Sequence, residues 1–419
     1  MHTQRKTFKI HTLGCRTNQY ESQGYASQLL ALGYEPALEE EADIHIVNSC
    51  TVTHMADVSS RQLVKRLYRK QPEAKIIVTG CAAEQDSKAF QEMPGVLRVV
   101  SNAQKDQLLP LTFPEESWPE FSLTQFEAHT RAFVKVQDGC NSFCTYCIIP
   151  YVRGRSRSRS LEEILREVHV LVSKGFKEVV LTGINIGDFD GNMTPPMRLA
   201  ALVKAVDGVE GLERLRVSSI DPDEVDEELI EVLLHGRTTC PSLHIVLQSG
   251  SNAILKRMNR KYTAQIFLDT IERLEEMCSD FTYTTDVIVG FPGETEVDFS
   301  ATIAMMERVQ FAKVHMFPYS KRARTRAALY SGHLSDAIMQ ERKTRVLHVA
   351  EKTSKDLRDR YVGRTMPVLL EGKEECGSFF GHTENFLPVW VRGDCLVANT
   401  IVNVFMQANS SSGLQGVCR

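Results

Sequence analysis

The stretch DGCNSFCTYCIIPYVRGRSRSRS, from Asp138 to Ser160, decides how the centre of this chain folds. It places three cysteines, Cys140, Cys144 and Cys147, within eight residues and continues with four arginines that alternate with glycine or serine. On a helix, this cysteine spacing would form a buried stripe. A glycine before the cysteines, a proline after them and the strand-like run AFVKVQDG leading into them favour a loop instead.

The three thiols lack a fourth ligand nearby. A structural zinc site almost always takes four ligands, and no fourth cysteine or histidine lies close to these three in the sequence. Thiolates also hold [4Fe-4S] clusters, and three of them leave one iron open for a small molecule. The spacing therefore favours an iron–sulfur cluster with an open iron over zinc.

A second set of cysteines recurs at the spacing of a βα unit. Cys15, Cys50 and Cys81 are 35 and 31 residues apart, and each comes at the end of a strand-like run. Because the carboxyl ends of parallel strands share one edge of a sheet, these side chains can converge on one ligand. The alternative is three unrelated cysteines that happen to end strands, and the matching positions in successive units argue against it.

The composition is that of a globular protein, with 419 residues, 42% hydrophobic and 24% charged. This length suggests roughly two to four domains. The N terminus has no apolar secretory region and no run is apolar enough to span a membrane, so we expect no membrane partner and a cytoplasmic location. In that reducing compartment the eleven cysteines favour metal or redox roles over disulfides.

Hydrophobic patterning predicts an α/β protein in three parts. Residues 1–125 alternate strand-like runs with amphipathic helical segments, which predicts a parallel βα sheet. Residues 126–355 repeat this pattern six times, which predicts a partial (β/α)6 barrel with its chemistry at the strand carboxyl ends. Residues 356–419 are β-rich with Gly, Asn and Asp turns, which predicts a small all-β barrel of a kind that often binds oligonucleotides.

Basic residues are clustered although the formal net charge is −4. The clusters span residues 61–70, 153–159, 256–261 and 321–326. Each alone is typical of a solvated face. Patches rather than totals form the electrostatic footprint for phosphates, so four clusters together favour a nucleic-acid partner.

The C-x3-C-x2-C motif after the first strand of the predicted barrel resembles the radical S-adenosylmethionine (SAM) superfamily. In that superfamily the methionine moiety of SAM chelates the open iron of a [4Fe-4S] cluster. Reductive cleavage then yields a 5′-deoxyadenosyl radical that abstracts hydrogen from an unactivated carbon. The second cysteine set and the terminal barrel, which resembles a TRAM domain, extend the resemblance over nearly the whole chain to the methylthiotransferases.

This resemblance implies two [4Fe-4S] clusters and SAM as cofactors. The ligand sets that it implies are Cys140, Cys144 and Cys147 for the radical SAM cluster, and Cys15, Cys50 and Cys81 for the auxiliary cluster. It implies no further catalytic residue. SAM contacts are implied at the ends of later strands, where turns or packing are the alternative role of each residue. These residues are Thr182, Gly183, Asn185, Gln248, Ser249, Val289 and Gly290.

The segments TLGCRTNQYES, VNSCTVTHMADVSSRQ and LQSGSNAILKRMNRKYT resemble the branch that modifies N6-threonylcarbamoyladenosine beside the tRNA anticodon. The implied reaction is methylthiolation of that base, with the tRNA anticodon arm as partner and a donor such as flavodoxin or ferredoxin supplying electrons. The branches that act on isopentenyladenosine or on a ribosomal protein share the cysteines and are the alternatives. A metal-stabilised RNA-binding protein without catalysis is a third reading, but both cysteine sets would be one ligand short for zinc.

Basic side chains near the barrel mouth are expected to contact RNA phosphates. They are Arg153, Arg155, Arg157, Arg159, Lys321 and Arg322. Related chains carry a Gly-Thr-Pro-like turn where this one has SKRARTRAAL, so the loop at 321–326 is expected to differ in backbone and to be more basic.

Overall fold

A parallel sheet covered by helices forms the first part of the chain, which is described in a computed structural model over residues 6–123, 130–373 and 377–418. Its elements are β1 (Thr7–Thr12), α1 (Arg16–Ala31), β2 (Glu35–Pro36), β3 (Ile44–Ser49), α2 (His54–Lys70), β4 (Lys75–Gly80), α3 (Cys81–Gln85), α4 (Ser87–Gln91), β5 (Val96–Val99) and α5 (Leu108–Thr112). The strand order is β2-β1-β3-β4-β5, with every pair parallel. The central strand β3 is buried along its whole length, as expected for a sheet with helices on both faces.

Six parallel strands and their crossover helices form the second part. Its elements are β6 (Arg131–Lys135), β7 (Gln137–Asp138), α6 (Ile149–Val152), β8 (Arg157–Ser158), α7 (Leu161–Ser173), β9 (Glu178–Thr182), α8 (Leu199–Asp207), β10 (Arg214–Val217), α9 (Glu227–His235), β11 (Ser242–His244), α10 (Asn252–Arg257), α11 (Ala264–Met277), β12 (Thr282–Val289), α12 (Glu296–Val309), β13 (Lys313–Pro318) and α13 (Asp336–Asp359). α7 begins at Leu161 because Ser160 and Glu163 form a reciprocal capping box at its N terminus.

The barrel strands form two three-stranded sheets, β6-β9-β10 and β11-β12-β13. Isolated parallel bridges join the two sheets, from Leu215 to Thr239 and from Ile220 to Ile245. The first and last strands, β6 and β13, are the outer strands of these sheets. The result is a partial barrel of six β/α units that is open between β6 and β13, which confirms the prediction.

The N-terminal part covers this open side. From α1, the Tyr20 hydroxyl donates to the Glu167 carboxylate of α7 at 3.1 Å, and the Tyr20 ring packs in the barrel core. On the β13 side, the backbone N–H of His54 donates to the Ser320 hydroxyl at 3.0 Å. The carboxyl edge of the N-terminal sheet, where its cysteines lie, is thereby held against the barrel.

A closed five-stranded barrel ends the chain. It comprises β14 (Thr365–Lys373), β15 (Phe379–Thr383), β16 (Pro388–Arg392), β17 (Ile401–Ser410) and β18 (Gly413–Cys418), in the order β14-β15-β16-β18-β17. Two arginines of β10 donate to its backbone carbonyls, Arg214 to His382 at 3.0 Å and Arg216 to Thr383 at 3.0 Å. The terminal barrel therefore covers the end of the central barrel opposite the cysteine loops, and the predicted small β-barrel is confirmed.

The predicted limits of the three parts stay predictions. The limit between residues 125 and 126 lies outside the described residues, and the one between 355 and 356 falls inside α13. Among the helices of the described residues, none is long and apolar enough to cross a membrane.

Candidate functional site

The first cysteine set lies on a loop between β7 and α6, as the flanking glycine and proline indicate. Gly139 has φ +75°, and a Cβ there would stand 2.0 Å from the carbonyl oxygen of Arg155, so only glycine fits. The backbone N–H of Cys140 donates to the Gly154 carbonyl at 3.1 Å. The arginine segment thus folds back and fixes the start of the cysteine loop.

The cysteines of this loop are partly buried and have hydrogen-bonding neighbours. Burial, with the neighbouring thiols, raises the pKa of Cys147, and burial also raises that of Cys140. Arg260 donates from Nη1 to the Cys144 Sγ at 3.1 Å and is itself paired with Asp221. Thiols that burial keeps neutral become thiolates when a metal replaces the proton, and a cation beside the sulfur stabilises that state.

The second cysteine set meets at the carboxyl ends of β1, β3 and β4. Cys15 caps α1, Cys50 follows β3 directly, and Cys81 is the first residue of α3. A Cβ on Gly14 would stand 2.8 Å from the Cys50 Sγ, so the two loops approach closely. Burial and the charges of the other two thiols raise the pKa of Cys50 to about 11. The sequence correctly predicts that these three positions converge.

Arg153 connects the two cysteine sets. Its Nε–H donates to the Cys81 Sγ at 3.3 Å, and its Nη1 donates to Glu21 at 3.1 Å and to Asp138 at 2.9 Å. Asp138 directly precedes the loop that carries the first set, and Lys105 pairs with both carboxylates. The prediction that Arg153 contacts RNA is wrong, because its side chain is 0% exposed.

The donor atoms at both places suit an iron–sulfur cluster. Within residues 6–123, 130–373 and 377–418, no three His, Cys, Asp or Glu side chains are arranged to hold one metal ion. Thiolates are the ligands that hold [4Fe-4S] clusters. Three converging thiols, with an arginine donating to one sulfur of each set, fit a [4Fe-4S] cluster in each place.

The predicted SAM-contact segment after β9 lies beside the first cysteine loop. The Gln137 side-chain oxygen accepts the backbone N–H groups of Ile184 and Asn185, each at 3.0 Å. Gly183 lies against the same side chain, where a Cβ would stand 2.9 Å from the Gln137 oxygen. The Asn185 amide donates to Glu224 at 3.0 Å. Thr182 ends β9, so Thr182, Gly183 and Asn185 share this corner of the barrel.

Gln248 follows the fourth barrel strand, β11, and its side chain lines a cavity. It lies in the left-handed region at φ +61°, and its buried side-chain oxygen has no partner within the described part of the chain. It lines a cavity of about 170 Å³ together with Thr53 from the Cys50 loop, Tyr146 from the first cysteine loop, and Phe317. This cavity therefore lies between the two cysteine sets.

The other three predicted SAM contacts have packing roles for their side chains. Ser249 is fully buried, with its hydroxyl 3.4 Å from that of Thr302 on α12. Val289 belongs to the barrel core. Gly290 has φ +76° and leaves room for Met339 of α13, whose Cγ would be 2.4 Å from a Cβ. A contact with SAM from these residues would have to come from the backbone.

The remaining arginines divide into exposed and paired groups. Arg155 and Arg157 are exposed, and Arg155 stacks 4.3 Å from the Phe143 ring centroid. Arg159 is partly buried and forms a salt bridge with Glu167 at 2.6 Å. Arg157 also donates to the Arg153 carbonyl at 3.1 Å, so two of the four predicted arginines are exposed and both have a contact within the protein.

The loop after β13 is basic and includes one residue in the left-handed backbone region. Lys321 is exposed, whereas Arg322 is 4% exposed and donates to Gln85 at 2.8 Å. The RNA contact predicted for Arg322 is therefore wrong, because the side chain joins this loop to α3 beside the auxiliary set. Arg324 has φ +74° and lies 5.2 Å from the Tyr151 ring centroid.

Sequence reasoning missed two cations near the cysteine loops, Arg260 and Arg16. Arg260 lies in a basic cluster that the sequence suggested was solvated, and Arg16 directly follows Cys15. The missed signal for Arg16 was its place beside a predicted cluster ligand. For Arg260 there was no local signal, because Cys144 is 116 residues away.

Comparison with protein families gives two matches. A model described as the radical SAM superfamily matches residues 134–306, and one described as uncharacterized protein family UPF0004 matches residues 7–101. These two ranges contain the two cysteine sets, one in each.

Similar proteins match along nearly the whole chain. A threonylcarbamoyladenosine tRNA methylthiotransferase MtaB from Chlamydia pneumoniae is 46% identical, covering 98% of this chain and 97% of its own. The MtaB of Bacillus subtilis is 37% identical, covering 95% and 93%. A tRNA-2-methylthio-N(6)-dimethylallyladenosine synthase from Thermodesulfovibrio yellowstonii is 35% identical, covering 97% of each.

Solved structures share the fold at low identity. The radical S-adenosylmethionine methyltransferase TsrM from Kitasatospora setae superposes with a TM-score of 0.53 at 15% identity, covering 74% of this chain and 72% of its own.

Proposed function

This chain belongs to the radical SAM methylthiotransferases, and we propose that it methylthiolates carbon 2 of N6-threonylcarbamoyladenosine beside the anticodon of tRNA. The relatives named for this reaction include the 46% and 37% identical proteins, against 35% for the dimethylallyladenosine synthase from Thermodesulfovibrio. The observation that carries the proposal is the pair of cysteine sets joined through Arg153, beside a cavity that residues of both cysteine loops line.

We propose that Cys140, Cys144 and Cys147 hold a [4Fe-4S] cluster that also binds SAM, and that the N-terminal set holds a second one. When bound, the first cluster and SAM would supply the carbon-centred radical and the methyl group, and the second cluster would take part in sulfur insertion. Arg260 and Arg153 donate hydrogen bonds to a cysteine sulfur of each set, which favours the deprotonated ligands.

The protein's own residues also shape the space between the two sets. Gln248, Tyr146 and Phe317 line the small cavity. Because Gln248 has a buried oxygen without a partner in the described part of the chain, it is available to accept a hydrogen bond from a bound nucleoside or cofactor.

The tRNA partner is held, in this proposal, through its phosphates. Arg155, Arg157 and Lys321 are exposed cations close to the cysteine loop and β13. Such contacts position a nucleic acid without reading its sequence. A small electron-transfer protein such as flavodoxin or ferredoxin would supply electrons, and the tRNA substrate places the reaction in the cytoplasm.

Nucleoside mass spectrometry of tRNA tests the assignment. A strain lacking the gene should contain N6-threonylcarbamoyladenosine without its 2-methylthio form, and the wild-type gene should restore that form. Unchanged 2-methylthio-N6-threonylcarbamoyladenosine in the deletion strain would contradict it.

The dimethylallyladenosine reaction is the second candidate, since relatives at 35% identity carry that name. The same measurement separates the two, because the deletion would then remove the methylthio group from isopentenyladenosine instead. Loss of a modification from a ribosomal protein alone would indicate the third branch.

A further inference from the structure

A polar cavity of about 710 Å³ occupies the interior of the central barrel, on the side of the terminal barrel. Strand residues that face inward line it, together with residues of α1 and of the terminal barrel. Its cationic lining includes Arg16, Arg131, Arg216, Lys313 and Arg358. A cavity with this charge favours an anionic occupant.

Most of the arginines around this cavity already have partners. Arg131 forms a salt bridge with Glu371 at 3.0 Å, and Arg216 forms one with Glu178 at 2.8 Å. Arg216 also donates to backbone carbonyls of the terminal barrel. These two cations therefore help to hold the terminal barrel against the central barrel.

Arg16 differs from them. In the described ranges of the chain, no hydrogen bond or salt bridge to its guanidinium is found, and its contact is with the Phe133 ring, whose centroid is 5.9 Å from Cζ. Its guanidinium lines the cavity, with its hydrogen-bonding groups available to a bound molecule.

The place of Arg16 in the chain ties this cation to the auxiliary cysteine set. It is the first residue of α1 and directly follows Cys15. Phe133, which it contacts, is an inward-facing residue of β6, the strand at the open side of the barrel. The guanidinium therefore extends from the auxiliary set into the barrel interior.

The proposed substrate carries an anionic carboxylate on the group bonded to N6, near the carbon that receives the sulfur. A carbonyl group links the threonine amino nitrogen to the adenine N6, which leaves the threonine carboxylate free. Carbon 2, which receives the sulfur, and carbon 6, which carries this substituent, flank the same ring nitrogen. A group bonded to N6 must therefore lie near the cysteine set that acts at carbon 2.

We propose that Arg16 binds the carboxylate of the threonylcarbamoyl group and so selects this nucleoside over one with an apolar N6 substituent. The inference rests on the proposed function and names the residue that decides its substrate. A guanidinium pairs with a carboxylate through two parallel hydrogen bonds, which an isopentenyl group cannot accept. Arg16 is a specificity residue in this account and takes no part in bond making.

The test uses two synthetic anticodon stem-loop RNAs that differ at one group. One carries N6-threonylcarbamoyladenosine, and the other carries the same nucleoside with the carboxylate replaced by a primary carboxamide. Rates of methylthio product formation at limiting RNA give kcat/KM for each. Wild-type protein, Arg16→Gln, Arg16→Lys and the control Arg198→Gln are compared after anaerobic cluster reconstitution. Arg198 is an exposed arginine whose side chain pairs with Asp226.

We expect the wild type and Arg198→Gln to prefer the carboxylate RNA by about 10- to 100-fold, the range for a charged hydrogen-bonded pair. Arg16→Gln should lose that preference while its rate on the carboxamide RNA is retained. Arg16→Lys should keep part of the preference. Iron content and 5′-deoxyadenosine formation without RNA should match the wild type in all variants.

Two outcomes would overturn the inference while the proposed function stands. One is an Arg16→Gln variant that keeps the wild-type preference. The other is an equal loss on both RNAs, which would assign Arg16 to the cluster or to a small anion such as sulfide. A wild type that modifies neither RNA would instead overturn the proposed function itself.

Discussion

Arg153 is the side chain that links the two cysteine loops through hydrogen bonds. It is buried among Glu21, Asp138 and Cys81, which come from three different segments of the chain. An alternating Arg-Ser pattern is typical of an exposed ribbon, and the sequence therefore suggested an RNA contact. Its burial is set by Glu21, 132 residues away, so no local pattern could predict it.

We expect Arg153→Leu to destabilise the protein and to impair the auxiliary cluster. Removing one partner from a buried ion pair leaves carboxylates undercompensated and costs about 3 kcal/mol. The matched control is Arg155→Leu, two residues away and exposed, for which a change within about 0.5 kcal/mol is expected. Urea unfolding and iron content measure both effects. Equal behaviour of the two variants would contradict the role given to Arg153.

Glu224, which accepts a hydrogen bond from Asn185, should make the stability of the protein depend on pH. Burial, and then the charge of Asp221, raise its pKa from 4.5 to about 7. The folded protein therefore binds more protons than the unfolded chain between these values, and the free energy of unfolding should fall as pH rises from about 4.5 to about 7.

The variant Glu224→Gln should lack this part of the pH dependence, whereas Asp223→Asn, next to it and exposed, should keep it. Chemical denaturation at several values from roughly pH 5 to pH 8 measures the difference, because this range overlaps most of the window that the pKa shift defines. A Glu224→Gln profile parallel to that of the wild type would show that the carboxylate is ionised throughout.

At the scale of elements, parallel strands explain why the cysteine positions could be predicted. Each βα unit returns the chain to the same edge of the sheet, so Cys15, Cys50 and Cys81 meet without any long-range information beyond the repeat. The turn residues Gly139 and Pro150 likewise predict that the first cysteine set lies on a loop. The packing of Ser249 and Val289 could not be predicted, because it depends on α12 and on the barrel core.

The two cysteine loops should have separable roles. Cys147→Ala should abolish formation of 5′-deoxyadenosine from SAM, because it removes a ligand of the cluster that binds SAM. Cys50→Ala should still form 5′-deoxyadenosine but no methylthio product, because it alters only the N-terminal set. Cys240→Ala, a buried cysteine outside both sets, is the control and should retain both activities.

Chromatography of 5′-deoxyadenosine and of the nucleoside product measures these activities. Methylthio product from the Cys50 variant would mean that the N-terminal set has no essential part in the reaction.

At the scale of the whole molecule, the N-terminal part and the terminal barrel cover different faces of the central barrel. The first covers the open side through Tyr20 and His54, and the second covers the far end through Arg214 and Arg216. The order of the three parts could be predicted from periodicity. Their docking could not, because it depends on single polar contacts between residues far apart in the sequence.

The surface next to the cysteine loop should bind tRNA through charge. Charge reversal of Arg155 and Arg157 to Glu should weaken tRNA binding and lower the slope of log affinity against log salt by about 0.9 for each phosphate that is no longer neutralised. Reversal of Arg308 and Arg345, which are exposed arginines of α12 and α13, is the matched control. Filter binding at several salt concentrations measures the slopes, with iron content as a check on folding. Unchanged affinity would place the tRNA on another face.

The central claim is that one protein with two cysteine-bound clusters methylthiolates N6-threonylcarbamoyladenosine in tRNA. The most direct test incubates the anaerobically reconstituted protein with SAM, a reductant and tRNA from a strain that lacks the modification, followed by nucleoside mass spectrometry. The account predicts 2-methylthio-N6-threonylcarbamoyladenosine from the wild type and none from the Cys50→Ala variant. A wild type that carries both clusters and cleaves SAM but leaves this nucleoside unmodified would contradict it.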